Sequence, residues 1–510
     1  MESTKCKVSH IDYILVFLRS RLVYVILIAL LISWLQLFNL YLTRSSPSSE
    51  AKSSWVFVDD KKGEKGEELW FEIYMDDKKI GYKQEQVTLF ESGYLIKEHI
   101  FLRLKALSSE QDIVLKSRYV TDKLFVIKTF WFNIISGVVQ IKATGTVEGN
   151  ELIFTLGEGT SKRTKKITLA SPLHAEVTGF RHLIEHGGIK KDETELMFFN
   201  PLGLTTDVMK VRFEGKEFVK IKDKTFDSLK YRLEYGSLSS VVWVDLTGKI
   251  IKEEGMMGLR MVRSDAEQAI KDLVTSEDLV FKNAIEPKGK KISQPERITS
   301  LKIKGEIKDL PFDNRQKKVD KVIIITQESY PNYFKGEDYV LSGLDKYLIP
   351  ENGIESDHPK IIELARKIKG KDENLVNVAR RAVNYVYSKL EKRPILGVVG
   401  ALDTLMAMAG DCKGHATLLT AILRACGIPS KLVVGITMQE GVFYYHAWTE
   451  AFLGEWVSMD ATLNQFPCDA THIKLLELSS LTGQEAIQIS KLVGDYLGNL
   501  NLEILDFTYD

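Results

Sequence analysis

The residues able to do chemistry gather between about 395 and 470. The segment GDCKGHATLLTAILRACGIPSKLVVG, Gly410 to Gly435, carries an apolar helix face of Leu418, Leu419, Ile422 and Leu423. Gly427 and then Pro429 end that helix, glycine just past the last turn and proline soon after. The helix therefore starts near Asp411 and Cys412. A cysteine there sees unpaired backbone N–H groups and the positive end of the dipole, which favour the thiolate, and the thiolate is the nucleophile. A small buried hydrophobe is the other role open to such a residue, and this segment alone does not separate the two. The next segment, FYYHAWTEAFLGEWVSMDAT, reads as a hairpin turning at Leu453 and Gly454. His446 and Asp460 are equidistant from Leu453, so an antiparallel pair centred there places them opposite one another on one face. A carboxylate so placed holds an imidazole in one tautomer and leaves its other nitrogen for a thiol. Trp448 and Trp456 are expected on the same face, shielding the site from water.

Metal binding is the rival chemistry. Cys412 and His415 have C-x2-H spacing, with Cys426 and His446 downstream. Cys426, however, lies about 21 Å along the helix from Cys412 at ~1.5 Å per residue, so one ion cannot take both. Cys426 reads as a core residue at the helix end. Cys468 falls in a loop, either free or paired with Cys426. His182 and His186 are spaced i,i+4, but no third ligand accompanies them and no glutamate stands between them as in HExxH. We therefore expect no metal and no cofactor.

Three pieces together, GDCKGHATLLTAILRACGIPSKLVVG, YYHAW and GEWVSMDAT, resemble the transglutaminase-like superfamily, whose core is papain-like. The resemblance runs from about Asp357 to His472. It implies Cys412 as nucleophile, His446 as general base and then acid, and Asp460 as the group that orients the imidazole. The tail NQFPCDATHIKLLEL resembles bacterial membrane-anchored members in which a strand-rich domain precedes the catalytic one. The sequence departs from the pattern at Cys468, where a small residue is expected, and at Lys413-Gly414, where a polar and an acidic residue are expected. The implied reaction is attack of Cys412 on a carboxamide, loss of ammonia or an amine, and a thioester that water or a lysine amine resolves. Bacterial relatives of this kind are often hydrolytic, which favours an amidase or peptidase over a crosslinking enzyme. The backbone N–H of Cys412 is a natural oxyanion donor. Asn384, Tyr385 and Tyr387 are polar upstream candidates for a second. No DxDxDG loop is present, which argues against a calcium-switched enzyme. The reading from another class is a non-catalytic envelope-binding scaffold with a relic triad.

The elements that must position these groups follow from periodicity. LWFEIYM, KIGYKQEQVTLF, YLIKEHIFLRL and further runs up to VVWVDLTGKIIKEEG alternate with period two and are separated by turn signals. They predict an antiparallel sheet, curled or closed into a barrel, over residues 67–282. A helical insert is expected near His174 to Gly188 and a closing helix over Ser264 to Leu273. Residues 283–298 form a polar linker, 299–356 a strand-rich connector, 357–472 the catalytic segment and 473–510 a C-terminal extension. HPKIIELARKIKG and NLVNVARRAVNYVYSKL carry apolar residues three and four apart and predict helices. The fold class is thus α+β: a membrane helix, a barrel-like antiparallel domain, then a papain-like core whose helix carries the cysteine and whose sheet carries the histidine and aspartate.

Leu22 to Leu42 is an uncharged apolar run of the ~20 residues needed to span a bilayer. Lys5, Lys7, Arg19 and Arg21 precede it, and Arg44 and a Ser-rich stretch follow. The positive-inside rule then puts residues 1–21 in the cytoplasm, 43–66 as a tether, and the bulk of the chain outside, in the periplasm. The apolar run is long for a cleaved signal peptide. Lys plus Arg and Asp plus Glu each number 69 in 510 residues, and this balance argues against a nucleic-acid-coating role. A hydrophobic share of 44% with 27% charged residues is globular rather than disordered. The expected partners are the membrane and a protein or peptide substrate of the cell envelope.

Overall fold

A computed structural model describes residues 66–510, apart from 107–108, 138, 158–161, 186–192, 201–204, 236–237, 256–257, 279–281, 308–309, 336–342, 352, 394–399 and 480–499. The apolar run Leu22 to Leu42, with its flanks and tether, lies outside the described residues. Among those described, no helix is long and apolar enough to cross a membrane.

The first part is one large sheet of fifteen consecutive strands, antiparallel except for the pairing of the ninth and tenth, from β1 (Glu67–Met75) to β15 (Leu259–Ser264). Successive strands pair with one another, and β1 also pairs with β15, joining two arms that end at β8 (Arg163–Thr168) and β9 (Leu173–His174). The alternation read from the sequence is visible in β5 (Ile127–Ser136), where Ile127, Phe130, Phe132 and Ile134 are buried. The arms curl so that Phe199 of β10 (Glu193–Asn200) stacks on Phe130, ring centroids 4.2 Å apart, in one shared core. Gly145 is required there, because a Cβ would lie 2.2 Å from the Phe130 ring. No ladder joins β8 to β9 among the described residues, so the sheet is curled rather than closed. The expected helical insert is α1 (Glu176–Glu185), whose Arg181 reaches Glu85 at 3.4 Å and Glu67 at 3.2 Å. The closing helix is a short one, α2 (Ala266–Ile270), capped by Asp265.

A five-stranded sheet follows: β16 (Lys288–Gly289), β17 (Ile298–Gly305), β18 (Gln316–Val319), β19 (Val322–Thr326) and the C-terminal β26 (Leu502–Tyr509). The central β17 pairs with β26, some two hundred residues later in the chain. Between them lie α3 (Pro359–Lys369), α4 (Leu375–Lys389), β20 (Glu391–Lys392), α5 (Ala401–Ala407), β21 (Ala409–Gly410) and α6 (Cys412–Ala425). A four-stranded sheet completes this part: β22 (Ser430–Gln439), β23 (Val442–Phe452), β24 (Trp456–Met459) and β25 (Ile473–Leu478), in the order β24-β23-β22-β25. Every residue of α6 from Gly414 to Arg424 is buried, the polar His415, Thr417, Thr420 and Arg424 included. One face of the sheet packs with α3, α4 and α6 in a single core. Elsewhere Ile436, Met438, Phe443 and Ile473 pack against β17, β19 and β26. The strand Ile473–Leu478 pairs directly with β22, so the four-stranded sheet runs past His472.

Candidate active site

Asp411 caps α6, its Oδ1 accepting the Gly414 N–H at 2.8 Å, and Cys412 is the first residue of the helix. The far end stops where Gly427 takes a φ of +84°, a conformation that favours glycine. Threonines fix the helix to the sheet: Thr449 of β23 donates to Ala416 O at 3.0 Å and lies 3.1 Å from Thr420 Oγ1. The partly exposed Cys412 is thereby held at the edge of an otherwise buried element.

His446 sits on β23, and Asp460 directly follows β24. The hairpin centre differs by one residue from the one read from the sequence, and so the pairing by two. Phe452 pairs with Trp456 and Thr449 with Met459, so the hairpin is centred on Gly454, whose φ of +93° makes the turn. Asp460 is then the diagonal neighbour of His446, not the residue opposite. Both still share a face, and His446 Nε2 stands 2.7 Å from Asp460 Oδ2. Asp460 Oδ1 accepts the N–H groups of Thr462 at 2.6 Å and Leu463 at 3.1 Å. Cys412 is near enough to the imidazole to favour its charged form. Nε2 is committed to Asp460, so Nδ1 is the nitrogen left for sulfur. The structure thus brings Cys412, His446 and Asp460 together.

Burial alone would push the His446 pKa down, but the Asp460 carboxylate and Cys412 overcome it and raise it to about 10. Asp460 is fully buried, which raises a carboxyl pKa. His446 and His472 reverse this and hold it well below the usual range. Trp448 is fully buried, its indole ring 6.4 Å from the His446 ring. Trp456 does not join it: it packs on Phe452 and Tyr347, with the Lys431 ammonium over its ring.

The other candidates separate from this centre. Cys412, Cys426 and Cys468 are all free thiols, so no disulfide joins the last two. Cys426 is buried at the far end of α6, facing Ala365 O, and burial pushes its thiol up to about 11. Cys468 is buried against Val433 and Trp448, and burial holds its thiol well above the ordinary range. His182 bonds Leu124 O at 2.8 Å through Nδ1 and stacks on His174, while His186 lies outside the described residues. Asn384 and Tyr387 are on the exposed side of α4, and Tyr385 is half-buried against the core.

Two further histidines are fully buried here, His415, weighed in the sequence only as a metal ligand, and His472, given no role there. His415 places Nδ1 2.8 Å from Asp411 O, so this nitrogen carries the proton and Nε2 is a bare, buried acceptor. Its spacing of three from Cys412 was the available signal. His472, just before β25, places Nε2 3.2 Å from Asp460 Oδ2, the oxygen that His446 also takes. His446, Asp460 and His472 are close enough to ligate one ion, but each imidazole already bonds the carboxylate. Asp313, Glu450 and Glu477 form a second such group, and the Lys474 ammonium fills it at 2.5, 2.7 and 2.6 Å.

Residues 362–461 match the family model of the transglutaminase-like superfamily. No curated protein sequence matches the chain. Among solved structures, the periplasmic domain of TgpA from Pseudomonas aeruginosa, bound to ethylmercury, is similar at 14% identity and TM-score 0.22, covering 52% of this chain and 92% of its own. A Cytophaga hutchinsonii protein provisionally assigned as a cysteine protease is 17% identical, with TM-score 0.27 over 42% of this chain and 86% of its own. A β-barrel-like protein of a family of unknown function from Brucella abortus is 10% identical, with TM-score 0.33 over 39% of this chain and 94% of its own.

Proposed function

Since residues 362–461 form a domain of the transglutaminase-like superfamily, we propose that the chain is a thiol enzyme acting on carboxamides of an envelope protein or peptide. The observation that carries this is the line Cys412–His446–Asp460, with His446 Nε2 2.7 Å from a fully buried carboxylate. An imidazole charged at neutral pH, beside a thiol at a helix start, supports a thiolate–imidazolium pair. Cys412 Sγ attacks the carbonyl carbon. As the tetrahedral centre collapses, the C–N bond breaks and the imidazolium gives its proton to the leaving amine. A thioester on Cys412 remains. His446 then takes a proton from water, which attacks the thioester, and the thiol and a carboxylic acid are released. A lysine amine in place of water gives an isopeptide instead. Hydrolysis is the favoured outcome in our reading, because it needs only access for water. The apolar run Leu22 to Leu42 is our basis for placing the enzyme on the outer side of a membrane by a single span.

The test is iodoacetamide labelling of the full chain across pH 5 to 9, read by peptide mapping in wild type, Cys412→Ala and His446→Ala. Cys412 is expected to label well below the ~8.5 pKa of a free thiol, faster than Cys426 or Cys468, and to slow when His446 is lost. Labelling of Cys412 no faster than the other two, and indifferent to His446, sinks the nucleophile and leaves a binding role.

A further inference from the structure

The segment Cys468 to Lys474 takes no part in the triad, yet it is buried throughout. His472 within it faces carboxylates from both ring nitrogens. Nε2 is 3.2 Å from Asp460 Oδ2, and Nδ1 is 3.3 Å from Asp469 Oδ1, with Thr437 Oγ1 also at 3.3 Å. A neutral imidazole has one bare nitrogen: a bare Nε2 would aim its lone pair at Asp460, and a bare Nδ1 would face Asp469 and could accept from the Thr437 hydroxyl. The arrangement is satisfied when both nitrogens carry protons. Burial disfavours that charged form, but Asp469 and Asp460 outweigh burial and raise the His472 pKa above its ordinary value. Asp469 is itself fixed, Oδ1 accepting the Thr471 N–H at 2.8 Å and Oδ2 the Gln465 amide at 2.7 Å. The loop is pinned from outside the family segment: Arg315, paired with Glu328, donates to Cys468 O at 3.3 Å, to Asp469 O and to His472 O at 3.4 Å.

We propose that His472 and Asp469 are positioning residues for the thiol site, an outer imidazolium–carboxylate pair that shares the Asp460 oxygen with His446 and balances its charge. This rests on the thiol-enzyme reading above. The chain His446–Asp460–His472–Asp469 then alternates in sign and sums to zero. The other groups facing His472 are Thr437 from β22, His446 and Trp448 from β23, and the Arg315–Glu328 pair. From α6, His415 is held below its ordinary pKa by burial and adds no charge.

Removing the His472 charge exposes His446 and Cys412 to the full field of Asp460. The two rings are 5.9 Å apart. At an effective permittivity of ~20, a unit charge at that range moves a pKa by about two units. The experiment is the pH profile of Cys412 alkylation in the full chain for wild type, His472→Gln and Asp469→Asn. Glutamine keeps a donor toward Asp460 but carries no charge. His472→Gln is expected to move the midpoint up, slowing alkylation about tenfold below the midpoint and leaving the rate at pH 9 within about twofold. Asp469→Asn should move it the same way by less, because His472 loses the carboxylate that most favours its charged form and gives up its proton. A merely structural role would lower thermal stability or the plateau rate without moving the midpoint, and that result overturns the proposal. Wild type supplies a readout that needs no variant: in histidine-labelled protein, two-bond nitrogen–proton spectra at pH 7 should show His472 protonated on both nitrogens. A neutral His472 there also overturns it. If His446→Ala leaves the wild-type profile unmoved, the thiol reading itself has failed; if only the His472 and Asp469 variants are silent, the outer pair alone has failed.

Discussion

Asp460→Asn changes one atom and almost no volume, yet the geometry makes it severe. Four N–H groups converge on this carboxylate: Thr462 at 2.6 Å and Leu463 at 3.1 Å on Oδ1, His446 at 2.7 Å and His472 at 3.2 Å on Oδ2. An amide has one acceptor oxygen, so in either flip its NH2 faces two donors. With the NH2 toward the histidines, His446 can adopt the tautomer with a bare Nε2. Its Nδ1 then carries the proton and no longer accepts from Cys412. One or two donors stay unpaired at about 1–3 kcal/mol each, so the expected loss is about 2–4 kcal/mol. Turnover, once a substrate is known, should fall on the order of 10³–10⁴-fold, as for a triad locked in the wrong tautomer. The pH dependence has a definite sign. The folded pKa of Asp460 is depressed, so its contribution is present above the unfolded value of ~3.9 and is lost as pH falls through the folded one. The folded pKa of His446 is raised to about 10, so its contribution is complete below the unfolded ~6.5 and is lost as pH rises to that value. The stability gap between wild type and Asp460→Asn should therefore be widest between about pH 4 and 6.5 and narrow toward pH 10. Urea unfolding at pH 5.5, 7.5 and 9.5, with Cys412 alkylation on the same samples, measures both effects. A gap under about 1 kcal/mol with an unchanged alkylation profile would refute this reasoning.

Gly435 lies opposite His446 in the β22–β23 ladder, and a Cβ there would meet Ile473 O at 2.1 Å and the Trp448 ring at 2.6 Å. Gly435→Ala should cost about 1–3 kcal/mol in urea unfolding and slow Cys412 alkylation by displacing Trp448. Lys474→Met strips the cation from Asp313, Glu450 and Glu477 and leaves Lys431 paired with the last two. Its expected cost is about 3–5 kcal/mol at pH 7. Asp313 and Glu477 are both held below the ordinary carboxylate range, so the gap should shrink as acid protonates them. Phe199→Ala opens the shared core of the curled sheet at about 3–5 kcal/mol. Two separate melting transitions, with Cys412 alkylation unmoved, are the outcome that identifies that core as independent of the site.

The site was most legible where its signals are local. Asp411, Gly427 and Pro429 bracket α6, and caps and stops act within one turn of the chain. The His446–Asp460 contact was legible for a subtler reason. The turn is centred on Gly454 instead of Leu453, which shifts the pairing partner by two residues. A shift of two preserves the face, whereas a slip of one would have put Asp460 on the far side of the sheet. Long-range placement was not legible. His472 reaches Asp460 because β25 pairs with β22 through a register shift between Val434 and Gly435. Periodicity reports which face a side chain takes, but not which distant strand lies beside it. The same limit hid the closeness of the sheet's two arms, which meet through Phe199 and Phe130, 69 residues apart in the chain.

The strands before the family segment do more than connect it. Gln316 of β18 bonds the backbone of Lys474 in both directions, its Nε2 to the carbonyl and its Oε1 from the N–H, each at 2.9 Å. Asp313 beside it meets the Lys474 ammonium, and Glu328 accepts from Ser458 N at 3.0 Å, two residues before Asp460. Polar groups this deeply buried are costly unless every partner is present. Ser458, Lys474 and the His472 loop each take a partner from residues 313–328, outside the matched segment. The triad residues come from the helix and the hairpin, but the carboxylate between the two histidines is steadied by a wall built elsewhere in the chain. A sequence pattern confined to cysteine, histidine and aspartate therefore names the proposed reacting groups and leaves out the residues that hold them in place.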